Sequence, residues 1–130
     1  MTRGSGSDAN PLDGCRIYVG IELRDGKVRT INARVDQPLS GPPSSSPRGC
    51  QTARRACATL PSLVLNRTAD EAGRVGAMEL LRALLATGIV DAAEERCILT
   101  TIGALRSALI DAHVAALAEA TVEAKKLSVR

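Results

Sequence analysis

The sequence is almost without aromatic side chains: it has no Phe, no Trp and one Tyr, Tyr18. A core must therefore be built from Ala, Leu, Ile and Val, which bury less area per residue than aromatic side chains do. A nucleic-acid surface is also disfavoured, because clustered basic residues there usually accompany aromatic rings on which bases stack. No aromatic accompanies the basic pairs Arg54 and Arg55 or Lys125 and Lys126. We interpret these pairs as solvated helix faces and expect no nucleic-acid partner.

Long apolar runs are also absent, and none approaches the ~18–20 residues that a membrane span needs. The opening segment, MTRGSGS, lacks the apolar middle of a signal peptide. The net charge of +3 is too small to indicate a partner by itself. The sequence therefore predicts a cytoplasmic protein without a membrane partner, in a chain of 130 residues that suits one domain.

Catalytic constellations are scarce. The single histidine, His113, lies far along a predicted helix from any cysteine and suits an ordinary surface position. No paired Ser/His arrangement and no glycine-rich phosphate loop is present. Whether the chain is an enzyme stays open, and a scaffold or carrier is the favoured class.

Composition divides the chain into three kinds of segment. Residues 1–10 are rich in Gly, Ser and Asp and predict a flexible lead-in, followed by a single domain over residues 11–127. Within that domain, residues 37–48 are rich in Pro and Ser, which predicts a loop of about a dozen residues. Loops of that length inside compact domains are often functional or disordered.

A β-hairpin follows the lead-in. Apolar residues alternate with polar or small ones from Ile17 to Leu23, which is the period of a half-buried strand. Asp25-Gly26 then predicts a tight turn, and Ile31, Ala33 and Val35 share one face of the return strand.

Helical spacing begins at Cys50. We expect the first helix to be kinked or ended by Pro61. A capping box of Thr68 and Glu71 predicts the start of a second helix, which closes near Gly88, and a last helix runs from about residue 95 to 126. The expected buried stripes are Cys50, Ala53, Cys57, Leu60 and Val64; then Val75, Met78, Leu81, Leu84 and Leu85; and finally Ile98, Ile102, Leu105, Leu109 and Ala112. A hairpin followed by helices predicts an α+β fold with helices packed on one face of an antiparallel sheet.

Four cysteines have to be explained without disulfides, which are rare in the cytoplasm. Cys50 and Cys97 lie near helix starts, where the helix dipole favours the thiolate, and Cys15 lies where the first predicted strand begins. Three such thiols could form a metal or sulfur site, or could be buried or incidental. No Cys-x-x-Cys occurs, which argues against a zinc knuckle. We expect Cys57 to be a small buried residue, and Asp13 to be either an oxygen ligand or a loop cap.

Four segments resemble the IscU/NifU type of iron–sulfur cluster assembly scaffold, including its SufU-like branch. They are NPLDGCRI at 10–17, leading into a strand and the turn DGKV at 25–28; Gly49-Cys50 opening a helix of small residues; RTADEA at 67–72; and Arg96-Cys97 opening the last helix. The resemblance covers about residues 10–115. It implies a scaffold that assembles a [2Fe–2S] cluster with sulfur from a cysteine desulfurase and passes it to acceptor proteins.

By this resemblance Cys15, Cys50 and Cys97 would be cluster or zinc ligands, with Asp13 as the acidic partner. The family order Cys-Gly-Asp is reversed here to Asp13-Gly14-Cys15, although residues two apart on a strand face the same side. Arg96 stands where the family often has His and cannot ligate metal. The 37–48 loop corresponds to an insertion.

Two alternatives remain beside the scaffold. One is a zinc-dependent sulfur acceptor for a cysteine desulfurase, and the other is a degenerate family member that acts only as an interaction module. The Ala-rich end of the last helix could support a homodimer, or could be a solvated, fraying end.

Overall fold

The computed structural model describes residues 2–9, 16–36, 47–90 and 95–128, with the side chains of residues 36, 47–52 and 123–128 excepted. Three strands come first: β1 (Thr2–Ala9), β2 (Arg16–Arg24) and β3 (Lys27–Asp36). Four helices follow: α1 (Pro47–Val64), α2 (Ala69–Gly73), α3 (Ala77–Leu85) and α4 (Glu95–Ser128). The α+β class with an antiparallel sheet followed by helices is thus confirmed.

The sheet is antiparallel with strand order β1-β2-β3. The predicted hairpin joins β2 to β3, and its turn residues Asp25 and Gly26 have φ of 55° and 76°. Both angles are left-handed, as a two-residue hairpin turn requires, which explains the Asp-Gly pair. A register shift after Glu22 inserts an irregularity near the turn.

Strand β1 corrects the expectation for the start of the chain, because Thr2–Ala9 forms a strand where a flexible lead-in was predicted. It pairs with β2 along its whole length, from Thr2 opposite Leu23 to Ala9 opposite Arg16. Its glycines gave the misleading signal. Gly4 and Gly6 are there because β1 lies directly against the backbone of α4, where a Cβ would clash.

One face of the sheet carries the core. Ile17, Val19 and Ile21 alternate along β2 and are at most 2% exposed, and the helices cover this face: α4 packs on β1 and β2, and α1 on β3. The predicted stripe of α4 is buried in full, as is the described part of the stripe of α1. The core contains no aromatic side chain among the described residues.

Two helix predictions need correction. Pro61 does not end α1 at its own position. The helix continues to Val64, Leu60 and Val64 are both fully buried, and the Leu65 N–H donates to the Pro61 carbonyl at 3.0 Å. The second predicted helix is in fact two. The capping box at Thr68 is present and starts α2, but Gly76 has an extended backbone and serves as a new N-cap for α3.

The break before α3 changes which of its side chains are buried. Leu80 and Leu84 are buried, whereas Met78 and Leu85, which were expected in the stripe, are 60% and 51% exposed. A continuous helix from Thr68 would have kept the predicted phase. Because the backbone is extended at Gly76, the buried face of α3 is rotated relative to the face that an unbroken helix would have buried.

Two further expectations concern segments that the structure describes only in part. Of the predicted 37–48 loop, residues 37–46 lie outside the described residues, and α1 begins at Pro47. By length and composition, the part of α4 from Glu95 to Val122 could cross a membrane: an 18-residue window within it has a mean hydropathy of 1.3, but 56% of that window is buried in the protein. Core helices of soluble proteins pass the same test, and the cytoplasmic location stays a prediction.

Candidate functional site

The first reference point is the end of the sheet where β2 begins. Arg16, the residue after Cys15, pairs with Ala9 at the end of β1 and with Asp36 at the end of β3. Cys15 and Asp13 themselves lie outside the described residues. We call this end of the sheet, where β2 begins, the Arg16 end.

Helix α1 runs from the Arg16 end toward the hairpin. Just after α1 stops, the Asn66 N–H donates to the Val28 carbonyl at 2.8 Å, and the Val28 N–H donates to the Arg67 carbonyl at 2.9 Å. The end of α1 is therefore fixed beside the start of β3. Since α1 packs along β3 and is ~27 Å long, its start lies at the opposite end, and Cys50 is its fourth residue. The Cys50 side chain is outside the description.

Helix α4 also starts at the Arg16 end. Gly4 lies against Ala108 and Ala112, while farther along β1 Asp8 lies against Gly103. The contacts move back along α4 as β1 advances, so the two elements are antiparallel. Gly103 lies beside Asp8, which pairs with Ile17 near the Arg16 end. Cys97 is six residues before Gly103, so it lies ~9 Å farther along the helix axis in the direction of that end.

The starts of β2, α1 and α4 therefore lie toward one end of the sheet. Cys50 and Cys97 belong to the first turns of α1 and α4, and Cys15 directly precedes β2 in the sequence. Sequence spacing alone allowed this convergence without requiring it. In the structure the convergence follows from the chain direction of the three elements, because β2, α1 and α4 all run away from the Arg16 end. The convergence concerns the backbone elements, since of the predicted ligands only the Cys97 side chain is described.

Cys97 is buried, at 2% exposure, in the first turn of α4, where two threonine hydroxyls donate to backbone carbonyls. Thr101 donates to the Cys97 carbonyl at 2.8 Å, and Thr100 donates to the Arg96 carbonyl at 2.7 Å. These bonds satisfy both buried threonine side chains within the helix. Arg96 itself is exposed, and its guanidinium has no acceptor atom with which to bind a metal.

Cys57 and His113 behave as the sequence predicts. Cys57 is 6% exposed, and burial raises its pKa from 9.0 to about 11, so it stays a neutral thiol at physiological pH. A protonated thiol is a poor metal ligand, which leaves Cys57 as a core residue. His113 is exposed on α4, beyond the part of the helix that packs on the core.

Arg55 is a residue whose role the sequence did not reveal. It was grouped with Arg54 as part of a solvated face, yet it is half-buried and donates to the carbonyls of Leu84 and Ile89 at 2.9 and 3.1 Å, and to the Thr87 hydroxyl at 3.4 Å. Its guanidinium thereby caps the C-terminus of α3, where the helix dipole favours a cation. This contact ties α1 to the segment that leads toward Cys97.

The sequence feature nearest to the Arg55 contact is Gly88. Gly88 was predicted to close the helix, but α3 ends at Leu85 with Ala86 as its C-cap. Gly88 instead lies beside the Arg55 guanidinium, where an added Cβ would stand 2.8 Å from an Arg55 nitrogen. Nothing in the local sequence of α1 distinguishes Arg55 from the exposed Arg54.

A separate hollow of about 440 Å³ lies on the face of the sheet that the helices leave uncovered. Its lining includes Ser5, Gly20, Glu22 and Asn32, and no cysteine. Beside it the Arg34 guanidinium stacks 4.7 Å from the centroid of the Tyr18 ring. The hollow lies toward the hairpin, away from the Arg16 end, and so is unrelated to the predicted thiols.

Within the part of the chain whose side chains are described, no group of three or more His, Cys, Asp and Glu side chains could hold a metal. Three of the four predicted ligands, Asp13, Cys15 and Cys50, fall outside that part. No model of a known protein family matches the chain, and no curated protein matches it. The resemblance to IscU/NifU-type scaffolds therefore stays a prediction.

Proposed function

We propose that the chain is a scaffold for iron–sulfur cluster assembly, which holds a [2Fe–2S] cluster as transient cargo on Cys15, Cys50 and Cys97, with Asp13 beside them. The observation that carries the proposal is the convergence of the starts of β2, α1 and α4 at the Arg16 end. This supports the proposal because Cys50 and Cys97 belong to the first turns of α1 and α4, and Cys15 directly precedes β2 in the sequence.

The chemistry of this donor set suits the cargo. Thiolates are the usual ligands of iron–sulfur clusters, and a [2Fe–2S] cluster takes four protein ligands. Three thiols and the Asp13 carboxylate supply four. The starts of α1 and α4 direct unpaired backbone N–H groups and the positive end of the helix dipole toward this region, which favours anionic ligands.

The order of elements is compatible with the resemblance, since a three-stranded antiparallel sheet precedes helices that cover one face. The closer likeness to the IscU/NifU fold is part of the proposal. In this function a cysteine desulfurase supplies sulfur, iron–sulfur acceptor proteins receive the cluster, and the chain works in the cytoplasm. It acts as a carrier and turns over no small substrate.

A zinc-dependent sulfur acceptor is the second candidate, and the donor set favours it as well. Three thiolates and one carboxylate can complete the tetrahedral coordination that zinc prefers. In that case a thiolate would accept sulfur from the desulfurase, and no coloured cluster would form. A degenerate member that serves only as an interaction module is the remaining alternative.

Anaerobic reconstitution with iron and sulfide separates the three functions. We expect both wild-type protein and Cys57→Ala to bind iron and sulfide, and the variant should bind the same amount of each as wild type. Both should show a thiolate-to-iron charge-transfer spectrum. Cys15→Ser, Cys50→Ser and Cys97→Ser should each lose that spectrum. Stoichiometric zinc without sulfide would instead establish the sulfur acceptor. Protein that binds neither metal would contradict both metal functions and leave the interaction module.

A further inference from the structure

The last part of α4 extends beyond the core. Ala112 is the last buried residue among the described side chains of the helix, and residues 113–122 are exposed or half-buried, although the helix continues to Ser128. This extension is ~24 Å of helix. Isolated helices of that length are marginal in water, because most helical stability in proteins comes from packing an apolar face.

An apolar seam runs along the exposed side of this extension. The α4 seam consists of the apolar residues Ile110, Val114 and Leu117 and ends at Thr121, whose hydroxyl donates to the Leu117 carbonyl; the spacings are four, three and four residues. Ile110, Val114 and Leu117 are 64%, 57% and 55% exposed. This is the spacing of alternating a and d positions in a two-stranded coiled coil. At ~100° per residue, the seam lies on the side of α4 opposite to the core residues Leu105 and Ala108.

The charges beside the seam favour one relative orientation of two such helices. With Val114 at an a position, Arg106 is at g and Asp111 at e of the next heptad. A parallel pair sets Arg106 of each copy opposite Asp111 of the other, five residues farther on. An antiparallel pair instead sets His113 near Ala120 and Asp111 near Ala118, which joins no opposite charges.

Both charges are accessible for this pairing. Arg106 and Asp111 are exposed, and Asp111 already accepts the Ser5 N–H at 2.9 Å through one carboxylate oxygen. A carboxylate accepts several hydrogen bonds, so this contact with β1 leaves Asp111 able to meet an arginine. The contact also holds its side chain in a defined position at the edge of the seam.

We propose that a second copy of this chain covers the α4 seam, and that the two copies form a parallel coiled coil from about residue 106 to 122. The contact is short and buries less than the ~800 Å² per partner of a standard interface. The dimer is therefore weak and dissociates on dilution. It requires no metal, so its test is independent of the proposed cluster site.

Sedimentation equilibrium of reduced, metal-free protein tests the association over a roughly hundredfold range of concentration, since the dimer fraction follows mass action. Wild type should shift from monomer to dimer. Val114→Gln with Leu117→Gln should stay monomeric, because Gln keeps the helix propensity and removes the seam. The matched control, Glu119→Gln with Val122→Gln, changes f and b positions that face away from the partner, and it should dimerise like wild type. A monomer at all concentrations, or a dimer that survives the seam variant, would overturn the proposal.

A charge exchange tests the orientation. Arg106→Glu should weaken the dimer, and adding Asp111→Lys to it should tighten the dimer again, well beyond Asp111→Lys alone. No recovery in the double variant would overturn the parallel arrangement. A chain that stays monomeric yet binds phosphatidylcholine vesicles through Val114 and Leu117 would assign the seam to lipid and overturn the dimer.

Discussion

Cys57 is a cysteine that we do not expect to be a metal ligand, because burial in the core raises the pKa of its thiol. It lies seven residues after Cys50 on α1, a spacing that keeps both on one stripe, yet it is 6% exposed and packed in the core. Burial disfavours the thiolate, since a charge in an apolar environment loses its hydration. Its chemistry is therefore set by its depth in the core and not by its place in the sequence.

The raised pKa of Cys57 makes stability depend on pH in a defined direction. The unfolded chain releases the thiol proton near pH 9.0, whereas the folded protein holds it to about pH 11. The unfolded state therefore binds fewer protons in this window, and the free energy of unfolding falls as pH rises, by up to ~1.4 kcal/mol per pH unit. Urea unfolding of wild type and Cys57→Ala from pH 8 to 11 should show a shallower slope in the variant. Equal slopes would show that Cys57 ionises freely in the folded protein.

Arg55 and Arg54 form a matched pair for a second prediction at the residue scale. Arg55→Met removes the donors to the carbonyls of Leu84 and Ile89, and we expect it to lower the free energy of unfolding by about 1–2 kcal/mol. Arg54→Met, on the exposed neighbour, should leave it within ~0.5 kcal/mol of wild type. Urea denaturation measures both. Indistinguishable midpoints for the two variants would mean that the Arg55 contacts contribute nothing net.

At the scale of elements, the contact of β1 with α4 depends on residues without side chains. An ideal Cβ on Gly6 would stand 2.5 Å from the Ala108 nitrogen and from the Ser107 Cβ, and one on Gly4 would also meet the backbone of α4. The facing residues of the helix are themselves small: Ala104, Ala108 and Ala112 are fully buried. The glycines thus allow strand and helix backbones to approach closely.

Gly6→Ala is therefore expected to destabilise the protein by about 1–3 kcal/mol, because the methyl group meets backbone that can yield only if α4 shifts. Gly73→Ala is the matched control. A Cβ there would make an ordinary contact at 3.9 Å with Leu109, so this variant should be neutral or slightly stabilised. Thermal unfolding of the two variants gives the comparison. A Gly6→Ala protein as stable as wild type would contradict the close approach.

The elements that could be predicted from the sequence are those specified by local patterns. The hairpin follows from alternation and from a turn that needs two left-handed residues, and the capping box follows from Thr68 and Glu71 alone. The elements that could not be predicted depend on distant contacts. β1 reads as a Gly- and Ser-rich lead-in until α4, about a hundred residues later, is placed against it.

Helix phase shows the same division. The stripe of α4 was predicted correctly because the helix is uninterrupted across the core. The stripe of α3 was wrong at Met78 and Leu85 because one extended residue, Gly76, resets the phase. Pro61 was overestimated as a breaker because flanking core residues hold α1 in place across the lost hydrogen bond.

At the scale of the whole molecule, the candidate site is a consequence of chain direction. Both strand pairs of the sheet are antiparallel, and α1 and α4 run in the same direction as β2. The starts of β2, α1 and α4 therefore lie toward the Arg16 end. The sequence alone indicated that Cys15, Cys50 and Cys97 lie near the starts of a strand and two helices. It could not predict that these elements begin at the same end, because that requires the register of β1 on α4 and the pairing of Val28 with Asn66 and Arg67.

The central claim is that Cys15, Cys50 and Cys97 contribute to one metal site, and a cobalt titration tests it most directly. Wild type and Cys57→Ala should bind one Co²⁺ with the same thiolate-to-cobalt absorbance. Cys15→Ser, Cys50→Ser and Cys97→Ser should each lose part of that absorbance and at least roughly tenfold in affinity, since even residues behind the ligands cost 10–100-fold when changed. Cobalt absorbance that depends on only one of the three cysteines, or on Cys57, would contradict a shared site at the Arg16 end.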